Sequence, residues 1–317
     1  MMKIVITGGT GFIGRYIVDY FLKANENTIT VLTRNVPRAR KLLPENVRCV
    51  AWDGKTLGRW VEALNEASVV IHLAGHTVAG IWTVGHKQKI YKSRIDSTRV
   101  LIKALHQVEK KPQILFQFSA TGFYGSRGEE ILTEESDQGR GFLAAVVENW
   151  EAVSREVEEW GMRRVVLRAG VVLGNDGGIL PLIVRSMRWF LGGIPGDGMN
   201  WLPWVHVKEI PQIIHYLYDR KTLNGVFNCV APEPVRFETF CRSLGKLLRR
   251  PCWLKVPEFA LQWLPGHQGE EMILVSQRVV PQRLVRAGYT FHFPTLYVAL
   301  AEILERQEIP DAHNLPG

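Results

Sequence analysis

The chain has 317 residues, 46% of them apolar and 22% charged, which excludes a disordered protein and suits one large domain or a domain with a smaller cap. Its 39 Lys and Arg against 31 Asp and Glu give +8, a charge that by itself fits nucleic acid, small anions or plain solubility. No apolar run reaches the roughly 20 residues of a membrane span, no leader-like segment precedes the first strand pattern, and Cys49, Cys229, Cys241 and Cys252 form neither a Cys-x-x-Cys pair nor zinc-type spacing. A cytosolic protein with reduced thiols, no membrane partner and no metal is expected.

Residues 3–7, 28–33, 47–51 and 68–73 are short β-rich runs, separated by amphipathic stretches at 12–23 and 37–43. Such alternation predicts an α/β protein with a parallel sheet covered by helices on both faces. Residues 69–73 and 114–118 are nearly continuous apolar runs, as central strands buried on both faces should be. Between them, residues 87–107 place Ile90, Ile95, Val100, Leu101, Ala104 and Leu105 on one helical stripe. A helix is predicted over 142–160 and a strand over 165–173. After Gly174 the chain turns to Gly and Pro punctuation and the aromatic cluster Trp189, Trp201 and Trp204. Helical patterns near 208–219, 236–248, 257–264, 270–286 and 295–306 predict a smaller, helix-rich lobe over 175–309. It follows a nucleotide-binding domain over 1–174, with later returns to the sheet near 201–230 and a frayed tail at 310–317.

The first strand runs into Gly8-Gly9-Thr10-Gly11-Phe12-Ile13-Gly14 and then straight into a helix. In that context Gly8 permits a tight turn, Gly11 admits a pyrophosphate to the backbone, and Gly14 lets helix and strand approach. The phosphate meets the unpaired N–H groups of the helix start. This is a dinucleotide-binding turn, and it makes the predicted sheet a doubly wound, Rossmann-type one. At the end of the second strand, where an NAD site carries Asp or Glu for the ribose 2′-OH, the chain has Thr33-Arg34, with Arg38, Arg40 and Lys41 close behind. A forked guanidinium suits a 2′-phosphate, so NADP (NADPH) is the expected cofactor. This cluster accounts for part of the net charge without any nucleic-acid partner.

Thr-Gly-Gly-Thr-Gly-Phe-Ile-Gly at 7–14, His-Leu-Ala-Gly at 72–75, Ser-Ala-Thr-Gly-Phe-Tyr-Gly at 119–125 and Leu-Arg-Ala-Gly-Val-Val-Leu-Gly at 167–174 together resemble the extended short-chain dehydrogenase/reductase superfamily. Ser93-Arg94, Phe142-Leu143 with Trp150-Glu151, and Trp204-Val205-His206 resemble an epimerase-like subfamily, sometimes labelled nucleoside-diphosphate-sugar epimerases or cell-division inhibitors. The run from Glu271 to Pro281 is similar to that subfamily's small C-terminal domain of unknown function. The resemblance implies cofactor contacts at Thr10, Gly11, Phe12 and Ile13 for the pyrophosphate and at Thr33 and Arg34 for the 2′-phosphate ribose. It further implies Leu73, Ala74 and Gly75 along the adenine side, Asp53 near adenine unless it caps a helix, and Arg94 as an anion contact unless it pairs with Asp96 or another carboxylate.

Superfamily enzymes use Tyr-x-x-x-Lys, the phenol exchanging a proton with substrate. None of the eight tyrosines here has Lys four residues on; counting back from Arg168 puts Phe142 and Val146 at those places. Ser119 matches the hydroxyl that polarises the substrate, in competition with Thr121, and Tyr124 offers a phenol from the same loop. For Tyr124 the other reading is a ring packed under the loop. His206 at the hinge is read as a core histidine or a proton carrier, Glu134 and Glu135 as substrate-side or solvated, and Trp201 and Trp204 as core filling or a stacking platform. Two functions stay open: an NADP(H)-dependent epimerase-like oxidoreductase acting on an unidentified small molecule, or a catalytically silent NADP(H)-responsive regulatory protein. The resemblance allows a monomer or a homodimer built on residues 87–107 and 142–160.

Overall fold

Seven parallel strands form the centre of the computed structural model, which describes residues 1–24, 26–252, 254–257 and 274–308. The first half runs β1 (Lys3–Thr7), α1 (Phe12–Leu22), β2 (Thr28–Thr33), α2 (Val36–Leu42), β3 (Arg48–Ala51), β4 (Val69–His72), α3 (Val84–Gln107) and β5 (Ile114–Ala120). Then come β6 (Ile131–Leu132), α4 (Phe142–Val153), α5 (Glu156–Glu159), β7 (Arg163–Ala169) and β8 (Val171–Leu173). The remainder contains α6 (Leu180–Arg188), β9 (Gly193–Pro195), β10 (Trp201–Leu202), β11 (Trp204–His206), α7 (Glu209–Asp219), β12 (Gly225–Cys229), β13 (Val235–Arg236), α8 (Phe237–Leu248), β14 (Leu254–Val256) and β15 (Arg278–Val279), with helices Gln282–Arg286 and Leu296–Glu308.

The sheet order is β12-β7-β5-β4-β1-β2-β3. Chain order therefore runs outward in both directions from β1, and the crevice above the carboxyl ends of β1 and β4 is the switch point where such sheets bind ligands. Side-chain alternation explains why these strands are apolar throughout. Ile4 and Ile6 of β1, Val69 and Ile71 of β4, and Ile114 and Phe116 of β5 face a core shared with α1 and α7. Val5, Val70 and Leu115 face the opposite core, built on Leu101 and Leu105 of α3. A third core, around Met187, Trp204, Phe240, Leu244 and Leu300, belongs to the later part of the chain.

Three boundaries differ from expectation. The strand expected over 165–173 is two strands. At Gly170 the chain leaves β12 and pairs β8 with β11 instead, and a Cβ there would lie 2.6 Å from the Pro203 carbonyl oxygen. The helix expected over 142–160 breaks after Val153, where Ser154 donates its hydroxyl to Glu151 O at 3.1 Å and competes with the helical ladder. In the pattern over 270–286, residues 270–273 lie outside the described residues, Arg278–Val279 pairs with β6, and Pro281 opens a short helix. The later part of the chain also carries small sheets: β14 with β9, β10 with β13, and β11 with β8. The helix expected over 257–264, apart from its first residue, and the tail at 310–317 lie outside the described residues.

Candidate functional site

The glycine turn is fixed by backbone crowding. Gly8 has φ +72°, and a Cβ on Gly14 would sit 2.4 Å from Gly8 O, so α1 rests directly on the turn. Gly11 is the N-cap of α1 and supplies no side-chain cap, which leaves the first N–H groups of the helix for an anion. Gly8, Thr10 and Gly11 line a cleft of about 1030 Å³. Phe12, Ile13 and Gly14 do not line it: Ile13 packs on the core, and the Phe12 ring is wedged against Gly174, Gly177 and Gly178. Arg15 and Asp176 close that wedge with an ion pair at 2.8 Å.

The far wall of the cleft is Thr33, Arg34, Trp52 and Asp53, with Leu73, Ala74 and Gly75 as its floor. Arg34 is exposed on the rim, and among the described residues no carboxylate lies within salt-bridge distance of it. Arg38, Arg40 and Lys41, expected beside it, do not line the cleft. The remaining cations there come from elsewhere: Lys55 after β3, and Lys89 and Lys92 on α3. Four cations thus face two carboxylates, Asp53 and Asp96. Asp53 accepts from Lys55 N at 2.8 Å, Thr56 N at 2.9 Å and Thr56 Oγ1 at 2.7 Å, and these bonds hold its carboxyl below the usual carboxylate range. It therefore organises a turn as well as lining the cleft. His76, also on the wall, is pushed down by burial and by its positive neighbours His86, Lys89, Arg34 and Arg94.

Beneath the floor lies a polar chain whose hydrogens can be placed in one way. Thr98 Oγ1 donates to Arg94 O at 2.7 Å and accepts from Trp150 Nε1 at 2.9 Å. It must then accept from His72 Nε2 at 2.9 Å, so His72 Nδ1 accepts from Thr7 Oγ1 at 2.7 Å, and Thr7 Oγ1 in turn accepts from Ala74 N at 3.2 Å. Burial pushes His72 down to about 3, keeping it neutral. The result is a rigid floor for whatever lies on residues 73–75.

Arg94 stands behind that floor. It donates to His76 O at 2.9 Å and Ile90 O at 3.2 Å and lies over the Trp150 ring at 5.2 Å, while Ser93 Oγ accepts from His76 N at 2.8 Å. Ser93-Arg94 thus clamps residue 76 by both backbone groups. The alternative pairing with Asp96 is not made, since Asp96 faces Arg99 at 4.0 Å. Burial lowers Arg94 to about 10, still protonated at neutral pH.

The two hydroxyls expected to serve catalysis are buried instead of facing the cleft. Ser119, 5% exposed, donates to Glu151 Oε1 at 2.5 Å. Tyr124 is fully buried, donates to Asn228 Oδ1 at 2.7 Å and accepts from Arg168 at 3.1 Å; burial raises its phenol. Both hang on the buried Glu151–Arg168 pair, a two-pronged contact at 2.9 and 2.8 Å with the guanidinium 3.3 Å from the Phe123 ring centroid. Thr121 is buried too. Glu134 is not solvated as one reading had it. It accepts from Asn228 N at 2.9 Å and Arg283 N at 3.3 Å, and burial raises it; Glu135 is exposed beside Arg286. His206 stacks on Phe293 at 3.8 Å and faces Glu302 at 3.0 Å inside the later core. Trp204 fills that core, and Trp201 lies between Arg236 and Arg278.

Phe142 and Val146 form a patch of hydrocarbon. They pack with Trp82, Ile90, Val78 and Leu143, and the Trp82 and Phe142 rings meet edge to face at 5.5 Å. A second depression, about 700 Å³, lies between Leu57 to Asn65 and the end of α3, remote from the strand carboxyl ends.

With this geometry, the profile of the NAD dependent epimerase/dehydratase family matches residues 4–229, and that of a domain of unknown function, DUF1731, matches residues 256–303. The chain belongs to the epimerase/dehydratase family. Epimerase family protein YfhF of Bacillus subtilis is 34% identical over 304 residues, which cover 96% of this chain and 98% of the relative. The chloroplastic SDR39U1 homolog of Arabidopsis thaliana is 33% identical over 309 residues, 96% of this chain and 87% of the relative. Human epimerase family protein SDR39U1, crystallised with NADPH, superposes with a TM-score of 0.84 at 28% identity, covering 95% of this chain and 99% of that one. This epimerase family member therefore has the extended short-chain dehydrogenase/reductase fold expected from its motifs, including the C-terminal domain.

What the motifs did not offer is the α3 wall. Gly85, Gln88, Lys89, Lys92, Ser93, Asp96 and Ser97 line the cleft at helical spacing. That stripe of polar residues within residues 87–107 was the available signal.

Proposed function

We propose that the protein binds NADP(H) in this cleft and acts as an epimerase-like oxidoreductase on a small molecule, without the Tyr and Lys of the wider superfamily. One observation carries the reading: a bare helix start, set on a turn where a Cβ at Gly14 would strike Gly8 O, opens toward Arg34, which has no carboxylate within salt-bridge distance among the described residues. In this reading Gly8, Thr10 and Gly11, with the backbone of Phe12, Ile13 and Gly14, receive the pyrophosphate. Thr33 and Arg34 receive the 2′-phosphate ribose, helped by Lys55, Lys89 and Lys92. Asp53, Leu73, Ala74 and Gly75 line the adenine side, and Arg94 positions residue 76. The NADPH in human SDR39U1 supports the choice of coenzyme. When bound, the nicotinamide supplies a hydride donor or acceptor; this chain's residues orient it and exclude water.

We assign Ser119 and Tyr124 to holding β5, α4 and β12 together and not to proton transfer, because both hydroxyls are committed inside the core. Residues 1–174 with β12 form the cofactor-binding part in this reading, and 175–309 the substrate lobe. A cytosolic setting is supported by four free cysteines and by the absence, among described residues, of a helix long and apolar enough to cross a membrane.

The test is to supply NADPH or NADP with carbonyl compounds, hydroxy compounds and nucleotide sugars and to follow nicotinamide absorbance. Turnover with one of them is expected. Silence across the panel with coenzyme bound would overturn the oxidoreductase reading in favour of a nucleotide-responsive regulatory protein. The hydrocarbon packing of Phe142 and Val146 is what favours that second reading.

A further inference from the structure

The two sides of α3 carry different chemistry. Lys89 and Lys92 face the nucleotide cleft, whereas Ile90 joins Trp82 and Val146 on the other side. Lys87 goes with the second group. Its ammonium lies 5.4 Å from the Trp82 ring centroid and 5.3 Å from that of Phe142, the residue at the place of the superfamily's tyrosine. Lys87 is half-buried, and among the described residues no carboxylate lies within 4.0 Å of it. Lys110 and Lys208, by contrast, each face a glutamate. Thr83 fixes the start of the helix by accepting from His86 N at 3.1 Å, so Lys87 projects from an anchored first turn.

We infer that Lys87, with the Trp82 and Phe142 rings, is an anion-binding site on the substrate side, and that the substrate is a compact oxyanion carried on an apolar body. The inference rests on the cofactor reading above only for calling this the substrate side. Two aromatic faces hold an ammonium loosely and leave N–H donors for an incoming oxyanion. Among the described residues, the surrounding side chains offer a sugar no hydrogen-bond partner. Trp82 Nε1 is already bonded to Val78 O at 2.8 Å, and Ile90, Val78, Phe142, Leu143 and Val146 have no polar side-chain atom. Sugar hydroxyls would find no partner on these side chains, whereas a ring or alkyl body needs none.

The experiment uses the full chain with saturating NADPH and reads tryptophan fluorescence. The probes are benzoate, phenylacetate and phenyl phosphate, each beside its neutral amide or alcohol. At least one anion should bind about tenfold more tightly than its neutral counterpart. Lys87→Met and Lys87→Gln should both abolish that preference, Lys87→Arg should keep it, and NADPH affinity should stay within about twofold in all three, as expected for a residue off the nucleotide wall. No preference for any anion in the wild type, or a preference that survives both neutral substitutions, overturns the inference. If NADPH itself fails to bind, the cofactor reading falls, and the same titrations on the free protein still decide the role of Lys87.

Discussion

At the nucleotide end of the crevice, Thr7, His72, Thr98 and Trp150 pair every polar atom beneath a floor of backbone, and four cations ring the space above it. Around the start of α3 and α4, by contrast, Phe142 and Val146 pack on Trp82 and Ile90, with Lys87 as a nearby charge. One region is organised by hydrogen bonds and charge, the other by hydrocarbon contact.

The largest expected effect tests whether the Glu151–Arg168 network is structural. Arg168→Met strands a buried carboxylate and should cost about 3–5 kcal/mol in urea unfolding, with the double variant Glu151→Gln, Arg168→Met recovering part of it. Small losses for the single change would mean the pair is free for catalysis. Next, Val146→Lys forces an ammonium among Trp82 and Ile90 and should cost about 2–4 kcal/mol. No loss would show that this position still accommodates the superfamily's lysine. Arg34→Asp should weaken NADPH by about ten- to a hundredfold in a binding titration while leaving NADH nearly unchanged. Equal loss of both would place the 2′-phosphate elsewhere. The smallest effect is a slope. His72 lies near 3 in the folded protein against 6.5 as its reference value. Below 6.5 the unfolded chain takes up a proton the folded one refuses, so this contribution is full above pH 6.5 and falls by about 1.4 kcal/mol per pH unit toward 3. His72→Gln should flatten unfolding free energy between about pH 6 and 4.5 relative to wild type.

The sheet was legible in the sequence because strands covered on both faces carry uninterrupted apolar runs, and the glycine turn because the positive φ of Gly8 and the backbone crowding at Gly14 call for glycine. Other features depend on partners distant in sequence. Gly170 divides a strand because Pro203 crosses it, and no pattern within 165–173 reveals that. Ser119 and Tyr124 look like surface hydroxyls at a strand end until Glu151, Arg168 and Asn228 close around them. Trp150 and Glu151 are adjacent yet serve separate networks, one under the nucleotide floor and one under the loop after β5. Lys89 and Lys92 were visible as a helical stripe, but only the position of β3 and the turn at Asp53 opposite them turns that stripe into a wall.

Calorimetric titration of the purified protein with NADPH and, separately, NADH tests the central claim most directly. NADPH should bind at least about tenfold more tightly, the difference expected when a charge-assisted contact to one extra phosphate is gained. Equal affinities, or no heat with either coenzyme, would contradict it.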